Sequence, residues 1–305
     1  NTPDGNGHTL AGAEAEGLKE SAMSAARGTL LRIDPPPPLS AFVYGIVHRD
    51  DPAGGGVMRL LPELRSSIQV TLGDRYWTRP RDQDRWERAP VVALWGPKLR
   101  PGYGYARRHI RVNAIGLSAL GLRVLSGMPA RALIERIVDF SEIDAEGAAV
   151  LAPRPGETPA DWRRRAVDWL AVRLRDVAQD DPLAAGLPLL STREGDAVAQ
   201  AARACGRSER TFRRQFTSWH GCAPKTWQRI ARVDRMLRTL HASPWEDDPY
   251  APMPVAFADQ PHAIREFRAL TGLTPRAYWQ AKRAGDATLR SIRAPKIAPP
   301  EQEQA

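Results

Sequence analysis

Cysteine is nearly missing from this 305-residue chain, which has two, Cys205 and Cys222. Two thiols without framework spacing exclude a disulfide scaffold and fit a reducing compartment. Each has a plain structural reading: Cys205 as a small apolar residue ending a helix, Cys222 in the turn before Pro224. A redox pair between them is the alternative. Long apolar runs are missing too. None approaches the roughly 20 residues that cross a bilayer, so no membrane partner is expected. The opening NTPDGNGHTLAGAEAEGLKE has neither a basic n-region nor an apolar h-region, so no secretion signal is expected in it. The six histidines (His8, His48, His109, His220, His241 and His262) are scattered, with no ligand pair at short spacing, and no metal is expected. No nucleophile motif or cofactor motif is present. Gly54-Gly55-Gly56 lacks the Lys-Ser/Thr of a phosphate-cradling loop and reads as a connector. Acid is short relative to base: 44 Lys and Arg against 35 Asp and Glu leave a net charge of +9. That excess favours an acidic partner, nucleic acid before an anionic membrane surface.

The positive charge is concentrated. Arg207 to Leu240 holds nine Lys/Arg and two Asp/Glu, a net of +7. The surrounding stretch, Asp196 to Leu240, reads as three consecutive helices. Val198, Ala201, Ala202 and Cys205 recur at helical spacing in the first. Gly206 suits the left-handed residue that closes it. Ser208 then caps a second helix, its hydroxyl free to accept a backbone N–H. Two short helices around a tight glycine turn make the helix-turn-helix pattern. In the second helix Phe212 and Phe216 are four apart and share a face to be buried. Arg210, Arg213, Arg214 and Gln215 fall largely off that face. Guanidinium forks match phosphate oxygens and the edge of guanine, and an α-helix fits the major groove. The bland alternative is a solvated charged face on a packed helix.

This segment resembles the DNA-binding domain of the AraC/XylS family of bacterial transcription regulators. The matching residues are Ala201, Gly206, Ser208, Arg210, Phe212, Arg214 and Phe216, continuing through Gly221, Pro224, Lys225, Arg232 and Leu237. The resemblance implies a second helix-turn-helix unit after a long helix, and VAFADQPHAIREFRALTGLTPRAYW, Val255 to Trp279, fits it. Its matching residues are Phe257, Asp259, Gln260, His262, Arg265, Phe267, Thr271, Gly272, Thr274, Pro275 and Tyr278. The two blocks cover about a third of the chain.

The second unit departs from the pattern. Pro252 and Pro254 sit where its first helix would run, and an interior proline costs about 3 kcal/mol; they either break that helix or shorten it at its start. Ala256 replaces the usual glycine. Trp245 to Arg290 holds six Lys/Arg and six Asp/Glu, net zero, so a weaker electrostatic grip is expected. The recognition helix of this unit is predicted over Gln260 to Leu270, exposing His262, Arg265 and Arg268 with Ile264 and Phe267 packed.

The remainder fits an α+β chain. Residues 1–34 are predicted to be a flexible arm, with a short helix around Ala13 to Ala26. The run Pro35 to Pro38 is expected to stiffen into polyproline II and mark the entry to a β-rich domain over 35–150 that ends in helices. Phe42, Tyr44 and Ile46 alternate with their neighbours, as do Ile68, Val70 and Leu72. Val91 to Trp95 is a continuous apolar run, and Ile110, Val112 and Ala114 alternate again. Pro129 is predicted to open a helix with Leu133, Ile134, Ile137 and Val138 on one face. A helical linker is expected over 151–190, its helix capped by Thr158 with Pro159 first and Asp161 in the first turn, and striped by Val167, Leu170, Leu174 and Val177. Its Arg163, Arg164 and Arg165 read as a solvated face, and Asp180 to Gly195 as a connector with a short helical turn. The DNA-binding domain follows over 191–290 and a flexible tail over 291–305.

The β-rich-then-helical order resembles the cupin-like sensor domains attached to this family, giving an N-terminal β-rich cupin-like domain before an all-α domain with two helix-turn-helix units. The resemblance implies a cytoplasmic regulator, associated with the nucleoid when bound. Its partners would be double-stranded DNA, a small-molecule effector, a second copy of the chain and RNA polymerase. The DNA-binding candidates are Arg207, Ser208, Arg210, Thr211, Arg213, Arg214, Gln215 and Lys225 in the first unit, and Gln260, His262, Arg265 and Arg268 in the second. Arg214 reads equally well as a structural or phosphate-binding residue. No catalytic residue, metal or cofactor is expected. Two other readings stand beside this one: a metal-holding barrel enzyme, for which His48 and His109 lie apart in sequence, and a protein-interaction module with impaired DNA binding.

Overall fold

The computed structural model describes residues 28–52, 54–80, 84–192, 196–242, 260–288, 291–294 and 296–301. The helix expected around Ala13 to Ala26 lies outside them, as do Pro252, Pro254, Ala256, Phe257 and Asp259. The architecture is α+β, β-rich first and helical second. The strands run β1 (Thr29–Ile33), β2 (Val43–Asp51), β3 (Gly56–Leu60), β4 (Ser66–Thr71), β5 (Trp77–Pro80), β6 (Glu87–Arg88), β7 (Val92–Trp95), β8 (Gly102–Ala106) and β9 (Ile110–Leu117). Helix α1 (Ala119–Ser126), strand β10 (Ile137–Asp139) and helices α2 (Ala145–Leu151) and α3 (Pro159–Arg173) follow. Helices α4 (Leu187–Thr192), α5 (Ala197–Ala204), α6 (Glu209–His220), α7 (Pro224–Ala242), α8 (Gln260–Thr271) and α9 (Pro275–Arg283) lead to β11 (Ala287–Thr288) and β12 (Ser291–Arg293).

The strands form two antiparallel sheets, in the orders β1-β2-β9-β4-β7-β10 and β11-β12-β3-β8-β5-β6. In β4, Ile68 and Val70 are fully buried while Ser67, Gln69 and Thr71 are not, as alternation predicts. One face of the first sheet packs under α1, α2 and α3. Its core joins Ile46, Ile68, Val70, Leu94, Ile115 and Leu117 to Leu120, Leu151, Trp162 and Leu170.

Several expectations need correction. The arm ends before residue 34: Thr29–Ile33 pair with β2, because TLLRI is an apolar strand former. The proline run is only partly extended. Pro36 has ψ 148, but Pro37–Leu39 close a 3-10 turn that buries Leu39. In β2 a register shift between Val43 and Gly45 buries Phe42 and Val43 together and leaves Tyr44 half-buried. The buried face of β9 is Asn113, Ile115 and Leu117 rather than Val112 and Ala114. Ile115 stands opposite Ile46 and Ile68, so cross-strand register decides the face. The helix expected at Pro129 is a 3-10 turn, Ala130–Leu133. Glu135 then sits at φ 57, and Ile137–Asp139 pair with Ala93–Trp95. Left-handed backbone ends helical growth, and β-branched Ile137 and Val138 suit a strand.

Helix α3 has the Thr158 cap and Pro159 start that its sequence predicts. It is not a free linker: Trp162, Ala166, Trp169, Leu170 and Leu174 are buried in the first core, and Val167 and Val177 are half-buried. The Trp162 indole donates to the Leu151 carbonyl at 2.9 Å, tying α3 to α2. Nor is Arg165 a solvated residue, since it forks onto Glu157 at 2.9 and 2.5 Å. The tail from residue 291 is not loose at its start: Ser291–Arg293 pair with Met58–Leu60 of β3, because Ser291 and Ile292 find a buried place there.

Candidate nucleic-acid interface

The α5–α6 pair is built as its sequence implies. Gly206 turns the chain at φ +64, a conformation that costs an L side chain and not glycine. The Ser208 hydroxyl accepts from the Thr211 N–H at 3.3 Å and donates to the Thr211 hydroxyl at 3.0 Å. Behind α6, Phe212 and Phe216 are wholly buried against Val198, Ala201, Ala202 and Leu190. Full burial of such a side chain contributes roughly 1.5–3 kcal/mol. Their rings lie 5.5 Å apart, and Trp227 of α7 meets Phe216 edge-on at 5.6 Å. Gly221 ends α6 at φ +78, where Ile134 of the N-terminal region presses on it.

That packing fixes what α6 presents. Arg210, Arg213 and Arg214 are exposed together. Arg213 is paired with Glu209 one turn earlier at 2.7 Å, both of them half in solvent. Ser208 is exposed, and Lys225 is exposed in the first turn of α7. Three candidates sit differently. Thr211 is half-buried beside the cap. Arg207 is half-buried, with its Nε shut away and unpartnered. Gln215 is half-buried with its amide oxygen enclosed and unpartnered, so it does not stand on the open face beside the arginines.

Helix α8 begins at Gln260, as predicted; the Gln260 side chain lies outside the described residues. Arg265 and Arg268 are exposed, and His262 is half-buried. Ala263, Phe267 and Leu270 face a core with Ile230, Val233, Leu237 and Leu240 of α7 and Tyr278 of α9, while Ile264 is only partly buried against it. Thr274 caps α9, its hydroxyl accepting from the Ala277 N–H at 3.2 Å. The Arg229 guanidinium of α7 meets both oxygens of Glu266 on α8, at 3.1 and 2.9 Å. This hydrogen bond raises the Arg229 pKa. The pair ties the second recognition helix to the connecting helix. Sequence reasoning missed it because the two residues lie 37 apart with no local signal.

The titratable groups behind the helices are held neutral. His220 stacks on Phe216 at 4.3 Å, and burial pulls its pKa down to about 4. His241 shares a 2.9 Å hydrogen bond with the Tyr278 hydroxyl; burial, then the nearby Lys282 charge, depresses it to about 4. Burial pushes the Cys222 thiol up to about 11 and raises that of Cys205, so both are packing groups at neutral pH. Among the described residues no three His, Cys, Asp or Glu gather in a metal-holding group.

Both units rest on the N-terminal region. Arg123 of α1 covers the Trp219 ring of α6 at 5.4 Å. Leu61 and Leu64, near β3 and β4, join the core of the second unit. None of these contacts is signalled in the sequence.

Residues 201–281 match the family described as a helix-turn-helix domain, and this segment is a helix-turn-helix domain of AraC type. No curated protein matches the chain. Among solved structures, ToxT from Vibrio cholerae is similar at 11% identity, with 77% of this chain and 97% of that chain covered and a TM-score of 0.45. ToxT with a bound unsaturated fatty acid is similar at 11% identity over 77% and 94%, with a TM-score of 0.44. ToxT bound to (E)-4-(8-methylnaphthalen-1-yl)but-3-enoic acid gives 10% identity over 76% and 97%, with a TM-score of 0.44. Likenesses this distant carry no residue or ligand assignment to this chain.

Proposed function

We propose that the chain is a sequence-specific DNA-binding transcription regulator whose N-terminal domain responds to a small molecule. The observation that carries the DNA reading is the exposed trio Arg210, Arg213 and Arg214, on a helix whose opposite side is anchored by wholly buried Phe212 and Phe216. A rigid helix with guanidinium forks on its free face suits the major groove, where such forks read guanine or grip phosphate. Arg210, Arg213 and Arg214 are assigned to the first groove. Arg265 and Arg268, with Gln260 and His262 beside them, are assigned to the next, roughly 34 Å along the duplex. Ser208 and Lys225 are assigned to phosphates, while Arg207, Thr211 and Gln215 support the helix from its flank.

Family resemblance adds RNA polymerase and a second copy of the chain as partners, and places the work in a bacterial cytoplasm. A second reading, a protein-interaction module with impaired DNA binding, draws on the charge-neutral second unit. Selection of genomic fragments by the purified chain separates the two. The regulator recovers a recurrent site with two half-sites about one helical turn apart, whereas the module recovers none.

A further inference from the structure

A second island of positive charge lies far in sequence from the helix-turn-helix units. Residues 65–111 hold eleven Lys/Arg and four Asp/Glu, a net of +7. That equals the net charge of Arg207 to Leu240, and outside these two stretches the chain is net acidic. Several of the cations have a place in the fold. Arg79 lies over both the Tyr103 and Trp86 rings, at 5.0 and 5.4 Å. Arg65 covers the Tyr44 ring at 4.5 Å, Lys98 meets Glu135 at 3.6 Å, and Arg111 donates to the Leu72 carbonyl at 3.2 Å. Arg75, Arg107 and Arg108 are different. All three are exposed, and their guanidinium groups form no ion pair or ring contact among the described residues.

The three sit on two neighbouring loops, β4–β5 and β8–β9. The Asp74 carboxylate accepts from the Arg108 and His109 N–H groups at 2.7 and 3.1 Å, and the Asp74 N–H donates to the His109 carbonyl at 3.1 Å. With Asp74 beside Arg108 and Trp77 opposite Tyr105, Arg75 is set against Arg107. Asp74 is the one acid on these loops, against three arginines. The acids of the adjoining strand are committed elsewhere, Asp50 to His109 at 2.6 Å and Asp51 to Arg49 at 2.9 Å. Like charges set opposite each other are destabilising. The loops are stiff all the same. Gly55 packs so closely that a Cβ there would lie 2.4 Å from the Arg108 Cα. The Gly55 carbonyl accepts from the Arg293 guanidinium, and the Arg293 N–H donates at 2.7 Å to the carbonyl of Asp286, just after α9. The cations thus stand on a rigid base fastened to the end of the second helix-turn-helix unit.

Unpaired guanidinium groups on a stiff base suit a partner with closely spaced negative charge on a rigid frame. Duplex DNA is such a partner, with one charge per about 1.7 Å of its axis. We propose that Arg75, Arg107 and Arg108 grip phosphates of the duplex outside the two grooves entered by α6 and α8, without regard to base sequence. This rests on the DNA reading of the proposed function and extends it, because the N-terminal region then supplies a share of the affinity directly.

The test is fluorescence anisotropy of a labelled random-sequence duplex of about 60 bp, titrated with the full chain over a salt series, where each lost phosphate contact lowers the slope of log K against log salt by about 0.9. The triple variant Arg75→Gln/Arg107→Gln/Arg108→Gln is expected to lower the slope by about 2–3. The matching triple lysine variant keeps the charges and is expected to lower it by less than about 1. A glutamine variant with the parent slope overturns the proposal, as does a lysine variant that loses as much as the glutamine one. A labelled polyglutamate peptide that the parent binds and the glutamine variant releases, with the duplex slope unchanged, assigns the loops to an acidic protein and overturns it too. Arg213→Ala separates this inference from the reading beneath it. If the parent binds no duplex, both fail together. If Arg213→Ala weakens binding and the glutamine variant does not, the loop grip alone fails.

Discussion

At the scale of single residues, the exposed arginines of α6 and α8 differ in their company. Arg213 has Glu209 alongside, and a solvent-exposed pair of this kind is worth under about 1 kcal/mol. Engaging DNA therefore costs Arg213 little, but Glu209 brings a negative charge close to phosphates. Glu209→Gln is expected to tighten DNA binding a few-fold at low salt while slightly weakening the start of α6, where an acid is favourable. Unchanged affinity in a mobility shift would remove Glu209 from the interface. Arg213→Ala is expected to cost about 1–3 kcal/mol of DNA affinity if it reads a base, or to lower the salt slope by about 1 if it grips phosphate. Arg265→Ala should cost less, because the second unit has no net positive charge. Equal losses in salt titrations would contradict that ranking. The arginines were legible because Phe212 and Phe216, four apart, fix which side of α6 is free. Gln215 lies at the edge of the free arc, half-buried with its amide oxygen enclosed, and only the packing partners decide an edge.

At the scale of elements, the two helical cores share a response to acid. His220 and His241 each have a folded pKa of about 4 against an ordinary value of 6.5. The unfolded chain therefore binds protons that the folded chain refuses. Stability from these neutral rings is complete above about pH 6.5 and is lost as pH falls from there toward 4. Thermal melts at pH 7 and pH 5 should show the loss, and His220→Phe, which fills the same aromatic cluster without a titrating group, should flatten its share. A variant melting as the parent does at both pH values would show that His220 is not the cause. Capping chemistry was readable from sequence at Thr158 and Ser208, which cap the helices that follow them. The segment after Pro129 was not, because LIERIV carries apolar residues that suit a helix or a strand. The choice went to β10 through pairing with β7, more than 40 residues earlier in the chain. Which face of β9 is buried depended likewise on Ile46 and Ile68 across the ladder.

At the scale of the whole molecule, the chain closes on itself. Strand β12 joins the second sheet next to β3, and the Arg293 guanidinium donates to the Gly55 carbonyl at 2.8 Å. Ile292, 3% exposed, enters a core shared by Leu61 of the N-terminal region and Tyr278 of α9. The first unit is held at its other end, where Ile134 packs on Gly221 and Arg123 on Trp219. The orientation of the second unit therefore depends on a strand that follows it in sequence and binds a sheet that precedes it. Ile292→Ala removes the central buried side chain of that closure and is expected to cost about 2–4 kcal/mol. Because the loss falls on one junction, it should appear as a low-temperature shoulder in calorimetry. The N-terminal core under α1 to α3 does not contain Ile292, so its transition should stay in place. If the variant instead melts in one step with the parent's midpoint, the last strand is an ornament on the sheet, and the second unit keeps its place through α7 and the Arg229–Glu266 pair alone.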